Sequence, residues 1–272
     1  MAKAPLRVFE TPNAIGEHLA TRLLEEVERA RQSGRRYLLG CPTGRSPKPL
    51  YAAIARSLAA KPQDLSSLTL VMMDEYLVAG RSSFEYAAPQ NEWSCHHFVQ
   101  AMILEPWNHA LNAAMHLRRE SIWFPDPHDP SSYDAKIDAA GGIDFFVLAS
   151  GASDGHVAFN PPGSPRDSKT RVVELSPETR RDNLSTFPTF GSLANVPSHG
   201  VTVGIDTIAR AKAKAMIVTG EAKRLTLGRI EAADRYADSW PATVVHEGAA
   251  GEILCDRAAL PSDSSRRRAS EF

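Results

Sequence analysis

Asp154 and His156 stand one residue apart in the stretch Ala149-Ser150-Gly151-Ala152-Ser153-Asp154-Gly155-His156. A carboxylate beside an imidazole can move protons near neutral pH, where histidine titrates. The residues before them are too small to pack and make a tight loop that exposes backbone. A plain Asp-Gly turn with a solvated histidine is the competing reading of these residues. Three further segments carry chemistry-bearing groups. In Gly40-Cys41-Pro42-Thr43-Gly44-Arg45-Ser46-Pro47, small residues let backbone N–H groups and the Thr43 and Ser46 hydroxyls converge on an anion beside a helix N-terminus. The Gly-Lys-Ser/Thr ending of a nucleotide phosphate loop is absent, and an ordinary strand-to-helix turn is the default alternative. Met73-Asp74-Glu75-Tyr76-Leu77 sets two carboxylates directly after an apolar strand, where they could be solvated, cap a helix or serve a metal. In Thr219-Gly220-Glu221-Ala222-Lys223 a lysine falls in the first turn of a helix, against the macrodipole, unless an anion binds nearby. An anion cradle, two acidic loops, a histidine and a lysine together suit a phosphorylated sugar handled by acid–base catalysis.

The elements that must position these groups alternate. Helical spacing of Ile15, Leu19, Leu23, Leu24 and Val27 predicts a helix over 13–32, stopped by Gly34. Tyr37–Gly40 reads as a strand, Pro49–Leu58 as a helix, Leu68–Met73 as a strand, and Arg81–Asn91 as a loop. Trp93–Leu104 reads as helical, Ser121–Phe124 as a strand, Ser132–Ala140 as a helix, and Ile143–Leu148 as a buried strand running into the Asp154 loop. Gly200–Ala211 is expected as helix or turn, Ala215–Thr219 as a strand, Ala222–Ala233 as a helix and Ala242–Val245 as a strand. Strands alternating with helices predict a mainly parallel sheet covered on both faces. Ligands of such sheets bind beyond the carboxyl ends of the strands, where all four segments fall. No repeat or Gly/Ser linker divides the chain, so residues 1–260 are expected as one α/β domain. Residues 261–272 are expected as a polar, frayed tail, whose Arg266-Arg267-Arg268-Ala269-Ser270 resembles a kinase site but reads better as solubilising.

A chain of 272 residues, 43% apolar with net charge −1, can bury a sizeable core. No overall basic excess points to nucleic acid. No apolar run approaches the ~20 residues of a membrane span, and the N-terminal residues lack a signal-peptide core. Three widely spaced cysteines, with no Cys-x-x-Cys pair, favour a reducing cytoplasm over disulfides or zinc.

Five segments in order resemble the glucosamine-6-phosphate deaminase (isomerase) and 6-phosphogluconolactonase superfamily. They are GCPTGRSPKPLY, VMMDEYL, GGIDFFVLASGASDGHVAFNPPGS, VTVGIDTIARAKAKAMIVTGEAK and WPATVVHEGAAGEILCD. Asp74-Glu75-Tyr76 and the Ala158-Phe159-Asn160 run lean toward the deaminase branch, since lactonases typically read Ala-Ser-Leu-Phe-Pro-Gly after the Asp-Gly-His. The resemblance implies a three-layer αβα, Rossmann-like fold related to ribose-5-phosphate isomerase and the CoA-transferases, acting without a cofactor or metal. It implies Asp74 as the base moving a proton between C1 and C2, with His156 assisting ring opening and Asp154 placing it. Thr43, Gly44, Arg45, Ser46, Gly151 and Lys223 would bind the substrate and its phosphate. The implied partner is a phosphorylated sugar, with a homo-oligomer allowed; a sugar-phosphate lactonase and a binding protein without turnover are the alternatives.

The departures matter as much. The deaminases carry a glutamate after Ala-Phe-Asn that orients the histidine, whereas this chain has Pro161. His156 therefore needs another partner, with Asp154 the first candidate. Arg45 replaces a glycine of the phosphate loop, where its guanidinium suits a phosphate contact. A phosphate-binding arginine of the deaminases falls at Ser185, with Arg180 or Arg181 as candidates to compensate. The loop 81–91 is longer than usual. Cys95-His96-His97 beside it is read as solvated or core-packed in preference to metal-binding.

Overall fold

The computed structural model describes residues 3–81 and 83–261. The tail expected from residue 261, with its arginine-serine motif, therefore lies outside the described residues except for Pro261. In chain order, β1 (Leu6–Phe9), α1 (Pro12–Gln32), β2 (Tyr37–Cys41), α2 (Lys48–Ala60) and β3 (Leu68–Met72) come first. A hairpin of β4 (Asp74–Ala79) and β5 (Phe84–Tyr86) follows, then α3 (Cys95–Val99), a π-helical turn (Gln100–Leu104) and α4 (Glu105–His109). The next elements are β6 (Ile122–Trp123), α5 (Pro130–Ala139), β7 (Phe145–Ala149), β8 (Arg171–Glu174), α6 (Pro177–Thr186) and β9 (His199–Thr202). The last are α7 (Ile205–Ala209), β10 (Ala213–Val218), α8 (Arg224–Ala232) and β11 (Ala250–Asp256).

Seven strands in the order β1-β11-β10-β7-β2-β3-β6 form a parallel sheet. Successive residues of its strands point to opposite faces, and both faces are buried. Leu39, Leu70, Phe145 and Val147 join one core with Ile15, Leu19 and Leu23 of α1 and Leu50 and Ile54 of α2. Leu38, Val71, Phe146 and Leu148 join the other with Tyr133 and Ile137 of α5 and Ile205 and Ile208 of α7. The result is the three-layer αβα fold expected from the sequence. Among the described residues no helix is long and apolar enough to cross a membrane.

The sheet also fixes where a ligand can sit. From β2 the chain moves outward to β3, whereas from β7 it moves the other way to β10 and β11. The topological switch point therefore lies between β2 and β7, and a crevice opens there beyond the strand ends. These two strands pair over only Leu39↔Phe145 and Gly40↔Phe146, against five residues for β2 and β3. Gly40 is needed at that junction, since a Cβ there would lie 2.2 Å from the Phe146 ring.

A second, antiparallel sheet, β5-β4-β9-β8, departs from the edge of the crevice. At Met73 the chain passes between the sheets: its N–H donates to Cys41 O, while its carbonyl accepts from Val203 N at 2.8 Å. Asp74 and Glu75 consequently begin a strand and are not in the loop expected from the sequence. β5 likewise interrupts the loop expected at 81–91, and β9 occupies the start of the segment expected as helix or turn. Residues 242–245 are a further correction: they lie in a buried 3-10 helix, Pro241–His246, and β11 is the strand that follows. A wholly buried apolar run carries no period to separate the two states, and Pro241 at the first position favours the helical start.

Candidate active site

The crevice is a cleft of ≈ 180 Å³ lined by Thr43, Gly44, Arg45, Ser46, Asp74, Gly151, His156 and Lys223, eight of the nine residues singled out from the sequence. Asp154, the ninth, stands behind His156 and bonds to it. The loop after β2 turns at Gly44, whose φ of +85° is open to glycine at little strain. The buried Tyr51 hydroxyl holds this loop from below, donating to Pro42 O at 2.7 Å. α2 begins just after it with no side-chain cap, but Lys48 N donates to Arg45 O, Pro49 has no N–H and Tyr51 N donates to Pro47 O, so an anion here would be met by the loop itself and the Thr43 and Ser46 hydroxyls.

Asp74 is buried at 5% exposure. Burial pushes its carboxyl up to about 7, helped by the charge of Glu75 and opposed by a weak hydrogen bond from Cys95 Sγ at 3.5 Å. A carboxylate at that value exchanges protons at neutral pH. Cys95 Sγ also lies 3.5 Å from Thr43 Oγ1, linking Asp74 to the loop after β2.

Glu75, its neighbour, is fully buried and saturated. It accepts from Tyr76 N, Ser94 Oγ, Cys95 N and His96 N, and pairs with His96 Nδ1 at 2.6 Å. It therefore caps the helical segment that starts at Cys95, the capping alternative among the readings of this acid pair. His96 serves that contact and stacks on Phe124. Among the described residues no group of three or more His, Cys, Asp or Glu is arranged to hold a metal.

His156 has a partner despite the proline at 161. Its Nδ1 lies 2.7 Å from Asp154 Oδ1 and 3.1 Å from Thr179 Oγ1. Asp154 Oδ2 accepts from Ser176 Oγ at 3.0 Å. Burial raises the Asp154 pKa, but the hydrogen bond and charge of His156, its backbone N–H and Ser176 outweigh it, leaving the carboxyl well below the usual range. The anion fixes the imidazole through Nδ1, and among the described residues Nε2 has no protein partner. Pro161 is used differently, its carbonyl accepting from Ser164 N and Oγ. Two glycines permit the arrangement. A Cβ on Gly151 would lie 2.2 Å from His156 Nδ1, and one on Gly155 would lie 2.3 Å from the Trp240 ring.

Lys223 belongs to a 3-10 turn, Glu221–Lys223, immediately before α8, and its ammonium donates to Ser150 O. Burial lowers its pKa to about 8, with Arg45 adding to the effect and Asp182 and Asp154 opposing it. Arg45 is exposed on the cleft wall. Arg180 and Arg181, the candidates to compensate for the missing arginine, lie on α6 but turn away from the cleft. Arg180 donates to Leu193 O and Val196 O, Arg181 pairs with Glu178 on the surface, and neither lines the cleft. Instead α6 lends the cleft Asp182, Asn183 and Thr186, which the sequence reading missed. Their spacing from Thr179, itself bonded to the dyad, places them on one helical face.

The arrangement can bind a phosphate at one end and transfer protons at the other. A family model described as glucosamine-6-phosphate isomerases/6-phosphogluconolactonase matches residues 10–255. A glucosamine-6-phosphate deaminase of Lysinibacillus sphaericus is 30% identical over 86% of this chain and 90% of its own. A glucosamine-6-phosphate isomerase of Candida albicans is 30% identical over 93% of this chain and 96% of its own. Among solved structures, a monomeric glucosamine-6-phosphate deaminase superposes with a TM-score of 0.76 at 22% identity, covering 94% of this chain and 98% of that one.

Proposed function

Since the chain belongs to the family of glucosamine-6-phosphate isomerases and 6-phosphogluconolactonases, we propose that it isomerises and deaminates an amino-sugar phosphate, glucosamine 6-phosphate first among them. One observation carries this reading: a carboxyl lifted to about 7, Asp74, lines the same cleft as a histidine held by Asp154. A lactonase needs an activated water, which His156 alone would supply. A buried carboxyl tuned to neutral pH is what a proton shift between adjacent carbons requires.

The phosphate lies against Thr43, Gly44 and Ser46, with Lys223 and Arg45 supplying charge. His156 takes the proton of the anomeric hydroxyl and returns it to the ring oxygen, opening the ring to the aldehyde. Asp74 then removes the proton on C2, leaving an enolate across C1 and C2, and delivers it to C1. As the nitrogen on C2 becomes an imine, one of its protons passes to O1, which ends as the C1 hydroxyl. Water hydrolyses it to the 2-ketose 6-phosphate and ammonia. No redox step occurs in this sequence. The activity belongs to a reducing compartment, the cytoplasm, which fits three free and buried thiols at Cys41, Cys95 and Cys255.

Ammonia release from glucosamine 6-phosphate, run beside acid release from 6-phosphogluconolactone, tests the proposal. Turnover of the first alone is expected. Turnover of the lactone alone would transfer the chain to the other branch of its family.

A further inference from the structure

One amide nitrogen lining the cleft, on the half-buried Asn183, has nothing to bond. Asn183 Nδ2 is shielded from solvent without a hydrogen-bond partner. The other such side-chain atoms are on Ser67, Thr170, Arg180 and Trp240, none of which lines the cleft, so Asn183 alone does. A donor removed from water and left unpaired destabilises the free protein, and native structures keep few of them.

The helix that carries Asn183 is not held by a core. Thr179 is its sole buried residue, and apart from the Arg180 bonds to Leu193 O and Val196 O its hydrogen bonds to the rest of the molecule come through the site. Ser176, its cap, donates to Asp154; Thr179 meets His156; Asp182 Oδ2 accepts from Ala152 N at 3.3 Å and Ser153 Oγ at 3.2 Å. The helix is thus pinned to the catalytic loop along the face that includes Asn183. Its arginines are engaged elsewhere, and Asp182 brings negative charge toward Lys223. What α6 can offer an anionic substrate is therefore a neutral donor.

We propose that Asn183 is a substrate-binding residue whose Nδ2 donates to an acceptor oxygen of the bound sugar phosphate, on the phosphate or on a hydroxyl. This rests on the reading of the cleft as a sugar-phosphate site. Occupancy would supply the partner that the amide lacks, so the desolvation already suffered by the free protein favours binding.

The test uses N183L, nearly isosteric, and N183A as a second variant. With glucosamine 6-phosphate, KM should rise roughly tenfold or more while kcat stays within about twofold, the pattern of a contact made equally in ground and transition states. Thermal melts with glucosamine 6-phosphate and with inorganic phosphate read the contact directly. Reduced stabilisation by both ligands assigns Nδ2 to the phosphate, and reduced stabilisation by the sugar phosphate alone assigns it to a hydroxyl. Both support the proposal. Stabilisation by both ligands equal to that of the parent, in both variants, overturns it. A parent protein stabilised by both ligands yet unable to turn over glucosamine 6-phosphate would overturn the assigned reaction and leave the contact standing.

Discussion

Two adjacent carboxylates in this molecule have opposite fates. Glu75 is surrounded by donors and anchors a helix, whereas Asp74 is equally buried but meets only a thiol. Environment separates an anchor from a carboxyl left able to exchange a proton. The separation was invisible in the sequence, because the donors to Glu75 come from residues 94–96 and only the fold brings them near. His156 and Asp154 were legible, since both partners sit in one three-residue stretch; Thr179 and Asn183 were not, for the same reason as the Glu75 donors. The titrations predict a bell-shaped kcat/KM. Asp74 must be ionised to act, so the rate rises through about pH 7; Lys223 must be protonated to hold phosphate, so the rate falls above about pH 8. A pH–rate series on a phosphorylated substrate checks both limbs. Lys223→Ala should raise KM for the phosphorylated sugar at least about tenfold, as loss of a charged hydrogen bond does, and should remove the alkaline limb. An alkaline limb that persists in that variant would assign it to another group.

At the scale of elements, the helices and parallel strands that build the cleft were legible wherever burial was one-sided or flanked by clear punctuation. α1 shows its apolar stripe between Thr11, which caps it, and Gly34. The second sheet was not legible. Its strands are short, β8 and β9 having four residues each, and β4 continues directly from β3 with a single residue between them. The loop after β7 makes its own prediction. A methyl on Gly151 cannot fit beside His156 and Asp154, which are locked together, so Gly151→Ala must displace the dyad. Displacements near 1 Å can cost ~10²-fold in rate. kcat for Gly151→Ala should fall by roughly that factor. Gly228 in α8 is the control, with open space where its Cβ would go. Gly228→Ala should leave kcat unchanged and raise stability by up to about 1 kcal/mol, from helix propensity, as measured by urea unfolding of both variants.

For the whole molecule, the decisive feature is the meeting of two sheets at a switch point. The parallel sheet parts between β2 and β7, and the antiparallel sheet starts at that opening, so Asp74 is held by pairing with Thr202 while it lines the crevice. Four segments spread from residue 43 to residue 223 reach one cleft of ≈ 180 Å³ by this route. Their collinear motifs made the family legible; the shape of the cleft wall, set by α6, was beyond the sequence. The central claim is that this cleft moves a proton between C1 and C2 of glucosamine 6-phosphate with Asp74 as the base. NMR of that substrate with the parent and with Asp74→Asn, each first shown by thermal shift to bind it, measures this most directly. The parent should yield ketose 6-phosphate and ammonium in equal amounts, and Asp74→Asn should bind within a few-fold yet turn over ~10²–10⁴-fold more slowly, the usual contribution of a general base. Near-parental turnover by Asp74→Asn would contradict the account.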